Sequence, residues 1–198
     1  QYYVPNNMAI LLSGDFDPDQ MIATIDKYFG DMQPNENIPQ LAFEPEAPIT
    51  KPIVKEVYGP DAANVTLAWR TDNAASDDAE YLLLASRILY NGQAGMIDLD
   101  LMQQQKVLDA FSYPDQRADY GALVLQGLPK AGQTLDEVRD LLLAEVAKLR
   151  NGEFSEELIK AVVNNLKVST MREEETNVGR VEMYLSLIHI SEPTRQEA

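Results

Sequence analysis

Between Asp31 and Pro52 the chain places five prolines, Pro34, Pro39, Pro45, Pro48 and Pro52, with no hydrophobic period between them. Proline lacks an amide donor and fixes its own φ, so neither a helix nor an interior strand can run through such a stretch. Residues 31–52 therefore read as an extended linker. Whatever folds before it and after it must do so as separate units. Hydrophobic residues make up 45% of the chain and charged residues 24%, enough apolar material for a core.

On the N-terminal side, MAILLSGD (Met8 to Asp15) is a short apolar run ending at glycine and predicts a buried strand. DPDQ follows. Asp17 suits an N-cap, Pro18 the first helical position, and Gln20 the third position of a capping box. Met21, Ile22, Ile25, Tyr28 and Phe29 then fall on one helical face, and Gly30 stops the helix. Residues 1–30 are read as the terminal strand–helix unit of a preceding domain.

After the linker, IVKEVYG (53–59) and NVTLAWRT (64–71) read as two strands joined by a Gly-Pro turn. Ser76 is placed as the cap of an apolar helix running to Tyr90, which NGQAG breaks; a short amphipathic helix, MIDLDLMQQQ, follows. Two further strands are predicted at 107–113 and 121–128. Thr134 and Glu137 form a capping box for a helix with Leu135, Val138, Leu141, Leu142, Val146 and Leu149 inward. Ser155 caps a last long helix with Leu158, Ile159, Val162, Val163 and Leu166 inward. Strand–strand–helix–helix thus occurs twice. Short connections make the strands antiparallel and send the helices to one face, giving an α+β two-layer sandwich over 53–184.

Sixteen Lys and Arg against thirty-two Asp and Glu give a net charge of −16. Such a surface repels phosphate backbones and anionic lipid, which argues against nucleic acid as a partner; it would steer peptides with basic residues toward it, but solubility alone is the stronger reading of the acidity. There is no cysteine, hence no disulfide or thiolate metal site. The apolar runs are too short to span a bilayer. No compartment is indicated.

The candidate chemical motifs fail on their own terms. GLPKAGQT (127–134) has the spacing of a phosphate-binding loop, but Gln133 stands where its lysine belongs and Pro129 removes an amide. A turn with a good helix cap is the better reading. Asp115 with Asp119, and the run Glu173, Glu174, Glu175, read as solvated carboxylates. Asp98 and Asp100 alternate with Ile97, Leu99 and Leu101 and read as amphipathic surface without the spacing or glycine of a calcium loop. Asn64-Val65-Thr66 forms a glycosylation sequon, placed in a predicted core strand where it would be a poor acceptor. No residue is assigned as catalytic, cofactor-binding or metal-ligating.

Taken together, QYYVPNNMAILLSGDFDPDQMIATIDKYFGDM, ANVTLAWRT, the apolar helix ending ILYNG, and LPKAGQTLDEVRDLLLAEVAKLRNGEFSEELIKAVVNNLK resemble zinc metallopeptidases of the pitrilysin and insulinase type, the inverzincins, which include the mitochondrial processing peptidases. The likeness covers residues 1 to 184. It implies homologous α/β domains, used in pairs that enclose a peptide chamber. It also implies that catalysis rests on an H-x-x-E-H helix and a later glutamate, which hold zinc and activate water. This chain has no such motif. The family's arginine–tyrosine pattern near the substrate is also absent from LDLMQQQKVLDAFSY, where Met102, Gln103, Gln104, Lys106, Asp109 and Phe111 stand, a departure shared by some active halves and some non-catalytic relatives.

The expected function is therefore a non-catalytic fragment of a zinc metallopeptidase, helping to enclose a chamber and form domain interfaces. Zinc is expected in the parent protein and no cofactor on this chain. Its partners would be a peptide or unfolded-protein substrate and a homologous domain of the same or another chain. The alternative is a scaffold or partner subunit of a catalytically dead relative. A nucleotide-binding module built on 127–134 is a third reading. The strand at 8–15 is expected to add to the open edge of the main sheet, in the same chain or a neighbouring copy, since an isolated edge invites aggregation. Finally, LSLIHISEPTR (Leu185 to Arg195) resembles the in-frame translation of a transposase adapter used for sequencing libraries. Residues 185–198, including the sole histidine, His189, are accordingly expected to be a non-native tail.

Overall fold

The computed structural model of the chain describes residues 2–39 and 44–191, with side chains to residue 186. It divides into two compact units, one formed by Gln1–Thr50 with Arg172–Ile188, the other built on Lys51–Met171.

The larger unit is an α+β two-layer structure. Strands β1 (Val65–Thr71), β2 (Asp109–Asp115) and β3 (Gly121–Leu128) form one antiparallel sheet in the order β1-β3-β2. Leu67 faces Leu125 across one ladder and Ser112 faces Leu125 across the other. Since side chains alternate along a strand, Val65, Leu67, Ala110, Ser112, Leu123, Leu125 and Gly127 share one face. Helices α2 (Asp78–Leu89), α3 (Leu135–Asn151) and α4 (Glu156–Glu174) supply the apolar stripes that bury this face. Ile88, Leu89, Ile97, Leu101, Leu125, Val138, Leu142 and Val162 are its best-shielded members. Each such side chain removed from water contributes roughly 1.5–3 kcal/mol.

Local signals place the helix ends. Thr134 Oγ1 accepts from Glu137 N–H while the Glu137 carboxylate accepts from Thr134 N–H at 2.7 Å, a reciprocal capping box. Gly152 ends α3 at φ 72°, where its own amide and that of Glu153 bond back to the last-turn carbonyls. Ser155 Oγ caps α4 through Leu158 N–H. Ser76 does not cap α2 as expected: the helix starts at Asp78 with no side-chain cap, and Ser76 Oγ is buried without a hydrogen-bond partner. Leu135 is 40% exposed, because it precedes the turn of α3 that reaches the sheet. The expected amphipathic helix around residue 100 is a π-helical turn, Asp98–Met102.

In the smaller unit, α1 (Pro18–Phe29) starts where expected, with the Asp17 carboxylate accepting from Gln20 N–H at 3.0 Å. Its apolar face is only partly covered: Met21 and Ile25 are half-buried, Ile22, Tyr28 and Phe29 are exposed, and no residue of α1 is fully buried. A further helix that the sequence patterns did not suggest, α5 (Asn177–Ser191), begins at Thr176, whose Oγ1 accepts from Gly179 N–H. Arg180 Nε donates to Ser13 Oγ, which donates to Asn177 Oδ1, so the start of α5 is fastened to the segment 8–15. Asn6 and Asn35 exchange hydrogen bonds and tie the two ends of the N-terminal segment together.

Two predicted strands are not strands. Residues 8–15 and 53–59 carry no ladder. Among the described residues the sheet has three strands, and 8–15 is not one of them. A strand is completed only by hydrogen bonds to a neighbour, so apolar alternation without a partner leaves extended chain. Val54, Val57 and Tyr58 are 84%, 92% and 90% exposed as a result. Of the expected non-native tail, residues 192–198 lie outside the described residues, while Leu185 to Ser191 continue α5.

α3 lies close over β3 at Gly127, where an added Cβ would lie 2.5 Å from Val138 Cγ1 and 3.1 Å from Leu142 Cδ1. Gly127→Ala is expected to lower unfolding stability by about 1–3 kcal/mol in urea denaturation, through overpacking rather than backbone strain.

Candidate functional site

The sheet face turned away from the helices has a different character. Phe111 and Tyr113 lie on it beside Val124 and Gln126, in register with Ala68 and Thr66 of β1. The Phe111 and Tyr113 rings stack with centroids 6.2 Å apart, and Tyr90, at the end of α2, meets Phe111 at 6.3 Å. Tyr113 is 44% exposed. At one end of this face Arg70 lies over the Tyr120 ring, 5.1 Å from its centroid. Asp115 is engaged by Arg117 through Nε and Nη2 rather than paired with Asp119. Such a surface is aromatic along β2 and bordered by an ion pair.

No group of three or more His, Cys, Asp and Glu among the described residues could hold a metal ion. The sequence reading assigned no metal ligand, and His189 has no described side chain. Glu173, Glu174 and Glu175 are exposed around the end of α4, as expected of solvated carboxylates. No helix among those residues is long and apolar enough to cross a membrane.

The loop after β3 is a structural turn. Gln133, which occupies the place of a phosphate-loop lysine, donates through Nε2 to Lys106 C=O at 2.9 Å and accepts from Lys130 N–H. Lys130 Nζ donates to Gln105 C=O. These contacts use the side chains that would otherwise reach a phosphate. Asn64 is exposed just before β1, outside the strand, so the core location expected for the sequon does not hold.

Two acidic residues are buried, and one of them, Asp98, was expected at the surface. Asp98 is 6% exposed, and its Oδ2 accepts from the amides of Asn91, Gly92 and Gly95 at 2.9–3.1 Å. One carboxylate oxygen thus gathers the whole NGQAG break, and Gly95 is required because a Cβ there would lie 2.7 Å from Leu89 C=O. The available signal was an aspartate three residues after a glycine-containing loop, the spacing of a side chain that captures backbone amides. Glu145, at 2% exposure, was missed altogether. It falls on the same stripe as Val138 and Leu142.

The chain matches the family described as "Peptidase M16 inactive domain" over residues 1–166. It belongs to that family, and so is a non-catalytic domain of the M16, pitrilysin-type peptidases. No curated protein matches it. A solved structure described as a protease from Helicobacter pylori superposes with a TM-score of 0.75 at 16% identity, covering 91% of this chain and 45% of that one. At that identity the likeness concerns the fold, and the chain spans under half of that protease.

Asp98→Ala removes the acceptor for three amides and is expected to cost about 2–3 kcal/mol. Amide hydrogen exchange should accelerate first between Asn91 and Gly95. Zinc titrated into the purified chain is expected to produce neither a calorimetric binding isotherm nor a shift in melting temperature, as an inactive domain requires.

Proposed function

We propose that the chain supplies one wall of a peptide-enclosing chamber in a zinc metallopeptidase whose catalytic residues lie on another domain. Membership in the inactive-domain family is the observation that carries this reading. The exposed aromatic face of the sheet supports it, with Tyr113 and Phe111 offering stacking surface to an extended chain. The net charge of −16 favours peptides with basic residues. On this reading residues 1–30 close a preceding domain, 31–52 link it to the next, and 53–184 form that next, non-catalytic domain. Association with another domain or chain is what the family implies. Zinc belongs to the parent protein's H-x-x-E-H helix. The alternative is a subunit of a dead relative serving as scaffold; the missing arginine–tyrosine pattern near residues 102–111 fits both readings, and an upstream H-x-x-E-H separates them.

The test is to express this chain together with the upstream part of its gene. Peptide cleavage is expected from the combination, abolished by a chelator, and from neither half alone. An upstream sequence lacking H-x-x-E-H would leave the scaffold reading in its place. Within an active assembly, Tyr113→Ala is expected to raise KM several-fold with kcat nearly unchanged.

A further inference from the structure

The buried face of α3 carries a charge that the packing does not require. Glu145 lies seven residues after Val138, so the helical repeat places it among the core side chains. Its Oε1 accepts from Lys148 Nζ at 2.9 Å, while Oε2 is buried with no hydrogen-bond partner. Lys148 Nζ also donates to Asp100 Oδ2, on the π-helical turn Asp98–Met102. One ammonium is therefore shared by two carboxylates from two elements, and one negative charge is left over.

We propose that Glu145, Lys148 and Asp100 form a proton-operated latch, in which acidification neutralises Glu145 and tightens the seating of α3 and of the turn Asp98–Met102 on the core. A buried carboxylate with an unpaired oxygen is costly while ionised and much less so once protonated. After protonation, Lys148 and Asp100 remain as a balanced pair that still joins α3 to the turn.

The charges acting on Glu145 are Lys148 on its own helix, Asp100 on the turn and Lys106 just beyond it. The face that β1 and β3 turn toward α3 is uncharged there: Val65, Leu67, Leu123, Leu125 and Gly127. The α2 charges, Asp78, Glu80 and Arg87, are not among the groups that act on it. Burial raises the Glu145 pKa above the ordinary glutamate value; the Lys148 hydrogen bond and charge oppose this, Asp100 adds to the rise, and Lys106 opposes it. A carboxyl whose folded pKa is raised takes up its proton more readily when folded. Its contribution to stability is complete below the unfolded glutamate pKa and lost as pH rises through the folded one. The Glu137 capping box works in the opposite sense, since its hydrogen bonds from Thr134 lower that pKa and its contribution disappears only at lower pH.

The test uses the full chain, its Glu145→Gln variant and its Lys148→Met variant, melted at constant ionic strength from about pH 7.5 down to about pH 4, just below the ordinary glutamate value. Glu145→Gln is expected to melt higher than the parent at the upper end, with the gap closing as pH falls. Lys148→Met should melt lower at the upper end and recover at a higher pH, because the opposing cation is gone. Exchange of the amides from Leu99 to Lys106, corrected for intrinsic rate, should slow several-fold on acidification in the parent and stay level in Glu145→Gln. Parallel melting profiles for parent and Glu145→Gln would overturn the latch. A carboxyl NMR titration of Glu145 in the unmodified chain gives a second reading: a midpoint at or below that of ordinary glutamate also overturns it.

Discussion

The architecture of the larger unit depends on how closely α3 can approach β3. With no side chain at Gly127, Val138 and Leu142 descend onto the strand and are fully buried. That approach closes the core over Leu125 and brings the facing residues of α2 and α4 into the same layer. It has a second effect. A helix seated this deeply carries the residues of its inward stripe that face the sheet into the interior, whatever their chemistry, and on α3 the next inward position after Leu142 is Glu145. The buried carboxylate follows from the same geometry that makes the core, and Lys148, one turn on, is placed to answer it.

The two faces of the sheet divide the work. One is committed to helices, with Ser86 and Ser112 hydroxyls 3.2 Å apart as the polar contact between α2 and β2. The other keeps its aromatic residues accessible. The polar side chains of the loops are largely occupied with holding backbone: Asp98 with the NGQAG break, Gln133 with the turn after β3, Asn91 with the amides of Gln93 and Ala94. A domain whose polar groups serve its own chain fits a non-catalytic member of the M16 peptidases.

Much of this was legible in the sequence wherever the determining interaction is local. Capping residues at Asp17, Thr134 and Ser155 and the glycine after α3 announce helix ends because their hydrogen bonds reach only a few residues. β1 and β3 were placed within a residue, since their alternation and their turns agree. What failed was non-local. The segments 8–15 and 53–59 have strand composition, but a ladder needs a neighbour that composition cannot provide. Ser76 has the right residue type for a cap, yet the helix starts two residues later and leaves its hydroxyl buried.

By itself the sequence determined the α+β class, the helix register of α3 and α4, the proline-rich break and the lack of a zinc-binding motif. These follow from backbone restriction, hydrophobic period and residue inventory. Only the tertiary structure decided which extended segments became strands, that Asp98 and Glu145 lie inside, and that Lys148 joins two carboxylates from separate elements. Burial and charge pairing depend on which surfaces meet, and that is settled by packing between residues far apart in the chain.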